Sequence, residues 1–374
     1  MESPIRGAQR EMFDLEHLRL GMREAERQLH KAKGQRCIVI IGDIGTGKST
    51  LVNALYYGSQ GMVADVEAIN GNFGIEYREN IRPREWICED ETELFKVSND
   101  PRNFCTQYPE VIRHEGSAYC DCPGFGDSKD FEKDLVDCLA IGRLLEKASD
   151  VRLMATMTYN SVMTLENRGN GVRRMLKMVA GIFKNETEQL VDLDSLSKIL
   201  IVITNPPLGN NPLAPGQFAQ KQIVQKAIYT QLKDEWQLSE SIARAIVENV
   251  VIVDPMDRIA TQEVLTIEQL KERLSRTSPI PSHKFKVPVT STMFNCLNDL
   301  NQTILERVDA LLNKVEFEQA AKEVEPLIEL SQLGMPSIDS FIQGHLRKIE
   351  MVKCNQEMKY RGKEGKKKKT CQCM

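Results

Sequence analysis

The sequence predicts an α/β domain, a mostly parallel sheet with helices on both faces, carrying helical extensions at its two ends. Three observations predict it. Short unbroken apolar runs recur along the first two thirds of the chain, as strands buried on both faces require. Amphipathic helical patterns separate those runs, the alternation that builds a parallel sheet. Beyond a Pro- and Ser-rich stretch at Ser278–Ser282 the pattern turns wholly helical.

Taken in order, Ala8 to Lys33 reads as one amphipathic helix, with Met12, Leu15, Leu18, Met22, Ala25 and Leu29 at three- and four-residue steps. Gly34 is placed to end it. Cys37–Ile41 is the first buried strand; Ala118–Cys120, Val151–Met157, Ile199–Ile203 and Val250–Val253 follow. Helical patterns lie at Asp130–Lys147, Asn170–Phe183 and Gln217–Leu232. Residues 61–117 are polar and carry turn signals such as Asn70-Gly71, which predicts an edge hairpin and a mobile loop. After the Ser278–Ser282 linker, Phe294, Leu297, Leu300, Ile304, Val308, Leu311 and Val315 form one apolar stripe at near-coiled-coil spacing. Ile338, Phe341, Ile342, Leu346 and Ile349 form a second. Either the stripes pack back on their own chain, or they bring two copies together. The domains expected are 1–33, an N-terminal helix; 34–258, the α/β domain; 259–350, a helical region; and 351–374, a basic tail.

At 374 residues the chain can bury a sizeable core, and 41% apolar with 27% charged residues is ordinary for a globular protein. No stretch nears the roughly 20 apolar residues of a membrane span, and the N-terminus lacks the apolar run of a secretory signal. The ten cysteines therefore read as free thiols of a reducing compartment. Cys120-x-Cys122 and Cys371-x-Cys373 have the wrong spacing for zinc. Between Lys353 and Met374, eight basic and two acidic residues give +6, which leaves −10 for the rest of a chain whose total is −4. A body that acidic argues against nucleic acid as partner, whereas the tail should seek a polyanion.

Chemistry concentrates at Gly42-Asp43-Ile44-Gly45-Thr46-Gly47-Lys48-Ser49, which has the spacing G-x-x-x-x-G-K-S between a buried strand and a helix opening at Thr50. Glycines let successive amides curl around a phosphate at the positive end of the helix dipole. Lys48 adds a charge near the β and γ oxygens, and the Ser49 hydroxyl is a magnesium ligand. Asp121-Cys122-Pro123-Gly124 closes the next buried strand and fits D-x-x-G: Asp121 towards the metal, Gly124 towards the γ-phosphate. Gly is needed there because only a residue without Cβ lets the backbone approach so closely.

Asp121-Cys-Pro-Gly-Phe-Gly-Asp-Ser128 resembles the D-x-P-G-F-x-D-S box of septin-like and immunity-associated GTPases of the translation-factor-related class. The resemblance covers about residues 35–255 and rests on two motifs, Gly42–Ser49 and Asp121–Ser128. It implies a Ras-like P-loop core, GTP or GDP with Mg2+, and a switch threonine on the metal, for which Thr106 fits best. The metal set is then Ser49, Thr106 and Asp121. Two departures qualify it. Where the family reads guanine with [N/T]-K-x-D, this chain has Thr204-Asn205-Pro206-Pro207, so Thr204 and Asn205 remain as nucleotide contacts and the carboxylate is missing. Asp254 or Asp257 either replaces it or caps the next helix, and ATP stays open beside GTP. Phe125 stands where a water-orienting glutamine is expected, which predicts slow intrinsic hydrolysis.

The last four residues, Cys371-Gln372-Cys373-Met374, form a C-a-a-X-like box with Met last, which favours farnesylation of Cys371. One isoprenoid needs a second signal, and Lys366–Lys369 would supply it at an anionic membrane, at about 1 kcal/mol per lysine. The competing reading is a solvated basic tail or a nuclear-import or RNA-touching patch. The expected location is the cytoplasm, at a membrane's cytoplasmic face. Three functional classes follow: a membrane-associated GTPase switch, a nucleotide-dependent scaffold that pairs through its nucleotide domain or C-terminal helices and barely hydrolyses, and an ATPase or kinase.

Overall fold

A computed structural model describes residues 15–71, 74–84, 95, 106, 108–114, 116–124, 131–163, 170–183, 192–207, 219–234, 236–258, 261–287, 291–335 and 338–371. Two compact units emerge, one spanning Leu18–Thr290 and one holding the chain from Ser291 onward with Leu15–His17.

The larger unit begins at Leu18, within α1 (Leu15–Ala32), and residues 8–14 of the expected helix lie outside the described residues. Its apolar stripe, Leu18, Met22, Ala25 and Leu29, is buried, and Gly34 takes the left-handed conformation (φ +67°) that ends a helix without a Cβ penalty. Then come β1 (Arg36–Gly42), α2 (Lys48–Tyr57), a hairpin of β2 (Met62–Gly71) and β3 (Gly74–Pro83), β4 (Glu110–His114), β5 (Ser117–Asp121) and α3 (Phe131–Lys147). β6 (Asp150–Thr158), α4 (Tyr159–Met163), α5 (Asn170–Phe183), α6 (Leu193–Leu196), β7 (Leu200–Thr204), α7 (Lys221–Asp234), α8 (Glu240–Glu248), β8 (Val250–Val253), β9 (Val264–Leu265) and α9 (Ile267–Arg276) complete it.

Among the described residues the main sheet has seven strands in the order β4-β5-β1-β6-β7-β8-β9, all parallel except edge strand β4. From β1 the chain steps one way to β5, then crosses back over β1 to β6 and onward. Because parallel crossovers are right-handed, this reversal puts helices on both faces and opens a crevice at the carboxyl end of β1. One face packs Leu51, Val52 and Leu55 of α2 with Ile267, Leu270 and Leu274 of α9 over Ile38, Ile40, Met154, Val202 and Val251. α1 lies against α3, where a Cβ on Gly21 would stand 2.9 Å from Val136.

Three expectations change. The sheet continues past residue 258 to β9, and α9 follows with a capping box between Thr266 and Gln269. A two-residue strand is too short to show as an apolar run. Ser278–Ser282 is not a free linker: Ile280 is fully buried and exchanges both amide bonds with Val151. Among the described residues the β2–β3 hairpin pairs only with itself rather than edging the main sheet, anchored at its open end by buried Met62 and Ile81. The expected mobile loop falls on residues 85–105, of which only Phe95 is described.

The helical unit contains α10 (Ser291–Asn313), α11 (Phe317–Lys322), α12 (Glu325–Gln332) and α13 (Asp339–Cys371). Leu297, Ile304, Val308 and Leu312 of α10 are buried, as are Ile338, Ile342, His345 and Ile349 along α13, with Leu327 and Leu330 of α12 between. The stripes are thus covered by helices of their own unit, although Phe294 and Val315 at the ends of the first stay exposed. The Gln372–Met374 end of the C-a-a-X-like box lies outside the described residues.

Candidate functional site

The carboxyl end of β1 feeds directly into the loop Asp43–Gly47 and then α2. Glycine is required at its first position because a Cβ on Gly42 would stand 2.4 Å from the Thr156 hydroxyl and 2.6 Å from the Thr156 carbonyl of neighbouring β6. Gly45 and Gly47 adopt φ +74° and +79°, conformations that cost an L side chain about 1 kcal/mol or more. Gly47 caps α2 without a side chain, so the first-turn amides keep no side-chain acceptor of their own there.

Lys48 opens α2 and is buried. Its ammonium donates to the carbonyls of Gly42 (3.1 Å) and Asp43 (2.8 Å), which arches the loop over its side chain. Burial lowers its pKa, against the pull of Asp121, Cys122 and Asp43.

One residue on, three side-chain oxygens converge from three parts of the chain. The Ser49 hydroxyl donates to Asp121 Oδ2 at 2.6 Å, and Thr106 Oγ1 donates to the same atom at 3.0 Å. The two hydroxyls stand 3.3 Å apart. Asp121 is fully buried, and that burial raises its pKa, while Lys48, Ser49 and Thr106 hold it down. Its Oδ1 is buried with no hydrogen-bond partner among the described residues, which is costly for a carboxylate unless something else engages it. Two hydroxyls and one carboxylate are hard oxygen donors and fit Mg2+, which is held by one or two protein groups plus phosphate and water. The fit extends to Gly124, half-buried against the loop: a Cβ there would come within 2.9 Å of the Ile44 amide nitrogen and 2.4 Å of its side chain.

This is a P-loop NTPase fold.

Behind the loop lies a set of threonines. Thr46 Oγ1 is 2.8 Å from both the Asp43 carbonyl and Thr156 Oγ1, and Thr156 donates to the Ile41 carbonyl at 3.1 Å. Thr204 donates to the Thr46 carbonyl at 2.8 Å. Expected as a nucleotide contact, Thr204 is only 1% exposed and spends its hydroxyl bracing the loop. Asn205 follows it, exposed and at φ +51°, and Thr50 sits in the first turn of α2. Asp43 pairs at 3.3 Å with Arg174 of α5, a partner the sequence reading missed, since nothing local links residue 43 to residue 174.

The two candidates for a base-reading carboxylate are engaged elsewhere. Asp254 is fully buried and takes the Arg258 guanidinium (2.9 and 3.1 Å) and the Arg258 amide (2.7 Å). Asp257 accepts from the Ile267 amide at 2.9 Å, at the start of α9. Cys122, beside Asp121, is buried, and burial holds its thiol well above the usual range, so it is a packing residue rather than a nucleophile. Phe125–Ser128 lie outside the described residues, as do the side chain of Cys371 and the residues after it.

No family model matches the chain. No curated protein matches it either. Among solved structures, Toc33 from Arabidopsis thaliana in complex with Mg2+ and GMPPNP is 14% identical, with 72% of this chain and 97% of that one covered at a TM-score of 0.38. The cytosolic domain of the T. maritima FeoB iron transporter, in a GDP form, is 13% identical over 85% and 97% at 0.24. An oligomerised bacterial dynamin pair is 13% identical over 94% and 62% at 0.30. The P-loop NTPase assignment therefore rests on this chain's own strand order, loop and oxygen cluster.

Proposed function

We propose that the chain binds a guanine nucleoside triphosphate with Mg2+, hydrolyses it slowly, and acts as a membrane-associated switch or assembly scaffold. The observation that carries this is the convergence of Ser49, Thr106 and Asp121 beside the loop that Lys48 closes. Residues 72 apart in sequence share one carboxylate oxygen there, at the end of a helix whose dipole favours phosphate. In this reading the amides of Asp43–Ser49 cradle the phosphates, and Lys48 leaves its two carbonyls for phosphate oxygens. Ser49, Thr106 and Asp121 hold the metal, which when bound neutralises phosphate charge. Thr106 and Gly124 sit on segments that release when the terminal phosphate goes, the basis of a switch.

Guanine rather than adenine is supported by the Asp121–Ser128 box. ATP is the second reading, because Asp254 and Asp257 are committed to Arg258 and Ile267 and leave no carboxylate for the base after β8. Slow hydrolysis follows from Phe125 in place of a water-orienting side chain. Membrane association follows from the +6 tail and Cys371, and pairing of two copies through the nucleotide domain or C-terminal helices would make the chain a scaffold.

Mass spectrometry of the nucleotide released from freshly purified protein tests the reading. Guanine nucleotide, mostly retained as triphosphate, is the expected result; adenine nucleotide would transfer the proposal to the ATPase reading, and a nucleotide-free protein that binds neither would end it.

A further inference from the structure

Thr156 lies in the buried middle of β6, flanked by Ala155 and Met157, contacts no phosphate position in the reading above, and is fully buried. A hydroxyl in such a place costs free energy unless it is bonded. Its bonds run to two points of the phosphate loop's entry and return: the Ile41 carbonyl at the end of β1 (3.1 Å) and the hydroxyl of Thr46 (2.8 Å). Gly42, between those points, is packed so closely on Thr156 that no Cβ fits.

Proton counting then constrains the arrangement. Thr46 and Thr156 have one hydroxyl proton each, yet they make three contacts: Thr46 to the Asp43 carbonyl, Thr46 to Thr156, and Thr156 to the Ile41 carbonyl. Only two can be donated at once. The Asp43 carbonyl has two further donors, the Lys48 ammonium at 2.8 Å and the Thr46 amide at 3.4 Å. While Lys48 serves that carbonyl, the Thr46 proton is free to point at Thr156. When Lys48 turns to a phosphate, Thr46 can rotate back and keep the Asp43 carbonyl satisfied, with Thr156 still fixing Ile41.

We infer that Thr156 is a positioning residue of the phosphate cradle, holding the entry and the return of the loop in place through the Ile41 carbonyl and the Thr46 hydroxyl. The inference rests on the nucleotide-binding reading of the site and adds the residue that prepares the loop for the triphosphate. It implies that the hydroxyl of Thr156, not its methyl or its bulk, sets affinity for the phosphates.

Equilibrium binding of fluorescently labelled GTP, with inorganic pyrophosphate as competitor, tests it on the full chain. Thr156→Val keeps shape and removes the hydroxyl; about a tenfold loss of affinity is expected for both probes, the scale for one buried hydrogen bond with its partner left unmet. Thr156→Ser should restore binding to within about threefold of the parent. Thr46→Val should lose as much as Thr156→Val, and the double variant little more than either, because the pair acts as one unit. Should Thr156→Val fail to fold, Thr46→Val and the serine variant carry the test. Parent-like binding by both valine variants would overturn the inference while leaving the nucleotide site intact, and so would a serine variant as weak as the valine. Failure of the parent itself to bind nucleotide or pyrophosphate would instead remove the function proposed for the site.

Discussion

The two compact units bury polar groups in opposite ways. At the carboxyl end of β1 the larger unit hides a lysine and an aspartate, Lys48 at 7% exposure and Asp121 at 0%, with one carboxylate oxygen unpartnered among the described residues. Such burial costs stability and persists where a ligand engages the charges. Among its described residues the helical unit buries no lysine or carboxylate. Its inner polar group is the uncharged pair of His345 and Asn301, Nε2 to Oδ1 at 2.8 Å, with His345 Nδ1 unpartnered among the described residues. The first is the candidate site; the second is packing with one polar pair inside it. Function can be sought where charge is hidden at a cost that the fold alone does not repay.

The sharpest way to break this comparison is Lys48→Ala. Loss of triphosphate affinity by a hundredfold or more is expected, with helix content unchanged by circular dichroism, because the variant removes a charge-assisted phosphate contact. Asp121→Ala comes next: nucleotide binding should lose its dependence on Mg2+ in a titration with and without chelator, and thermal stability should hold or rise, since a buried carboxylate is gone. The corresponding deletion in the helical unit, Leu327→Ala, is expected to cost about 2–5 kcal/mol of stability, as truncated core leucines do, and to leave nucleotide affinity unchanged. If it weakened binding as much as Lys48→Ala, the separation of roles would collapse.

A smaller effect separates the units by pH. Burial, helped by Lys348 and opposed by Asp309, lowers the His345 pKa below its ordinary 6.5. The folded state therefore binds fewer protons than the unfolded chain, so stability is full above pH 6.5 and falls as pH drops through that value towards the folded pKa. Urea denaturation of the parent and His345→Gln between pH 7.5 and 5 should show this part of the acid sensitivity only in the parent. The smallest expected shift concerns the tail: Cys371→Ser should move part of the protein from the membrane to the soluble fraction of a cell lysate, with nucleotide binding untouched.

How much the sequence disclosed depended on how each element is stabilised. Cys37–Ile41, Val151–Met157 and Val250–Val253 announce themselves because a strand covered on both faces must be mostly apolar, and all three are strands here. α11 and α12 were missed: each is under ten residues, and their apolar positions are scattered among glutamates. β9 is only two residues. At the candidate site, Gly42–Ser49 and Asp121–Gly124 were visible as motifs, and Thr106 falls beside Ser49 and Asp121. Thr156 and Arg174 were not, because their partners lie more than a hundred residues away and only folding brings them together.

Titration calorimetry of the full chain with GTP, in Mg2+ and then in chelator, addresses the central claim most directly. Saturable binding with one site per chain, weakened at least tenfold when the metal is withdrawn and abolished in Lys48→Ala, is the expected result. Binding that ignores both the metal and the lysine, or no binding of any nucleotide, would contradict a phosphate cradle at Gly42–Ser49.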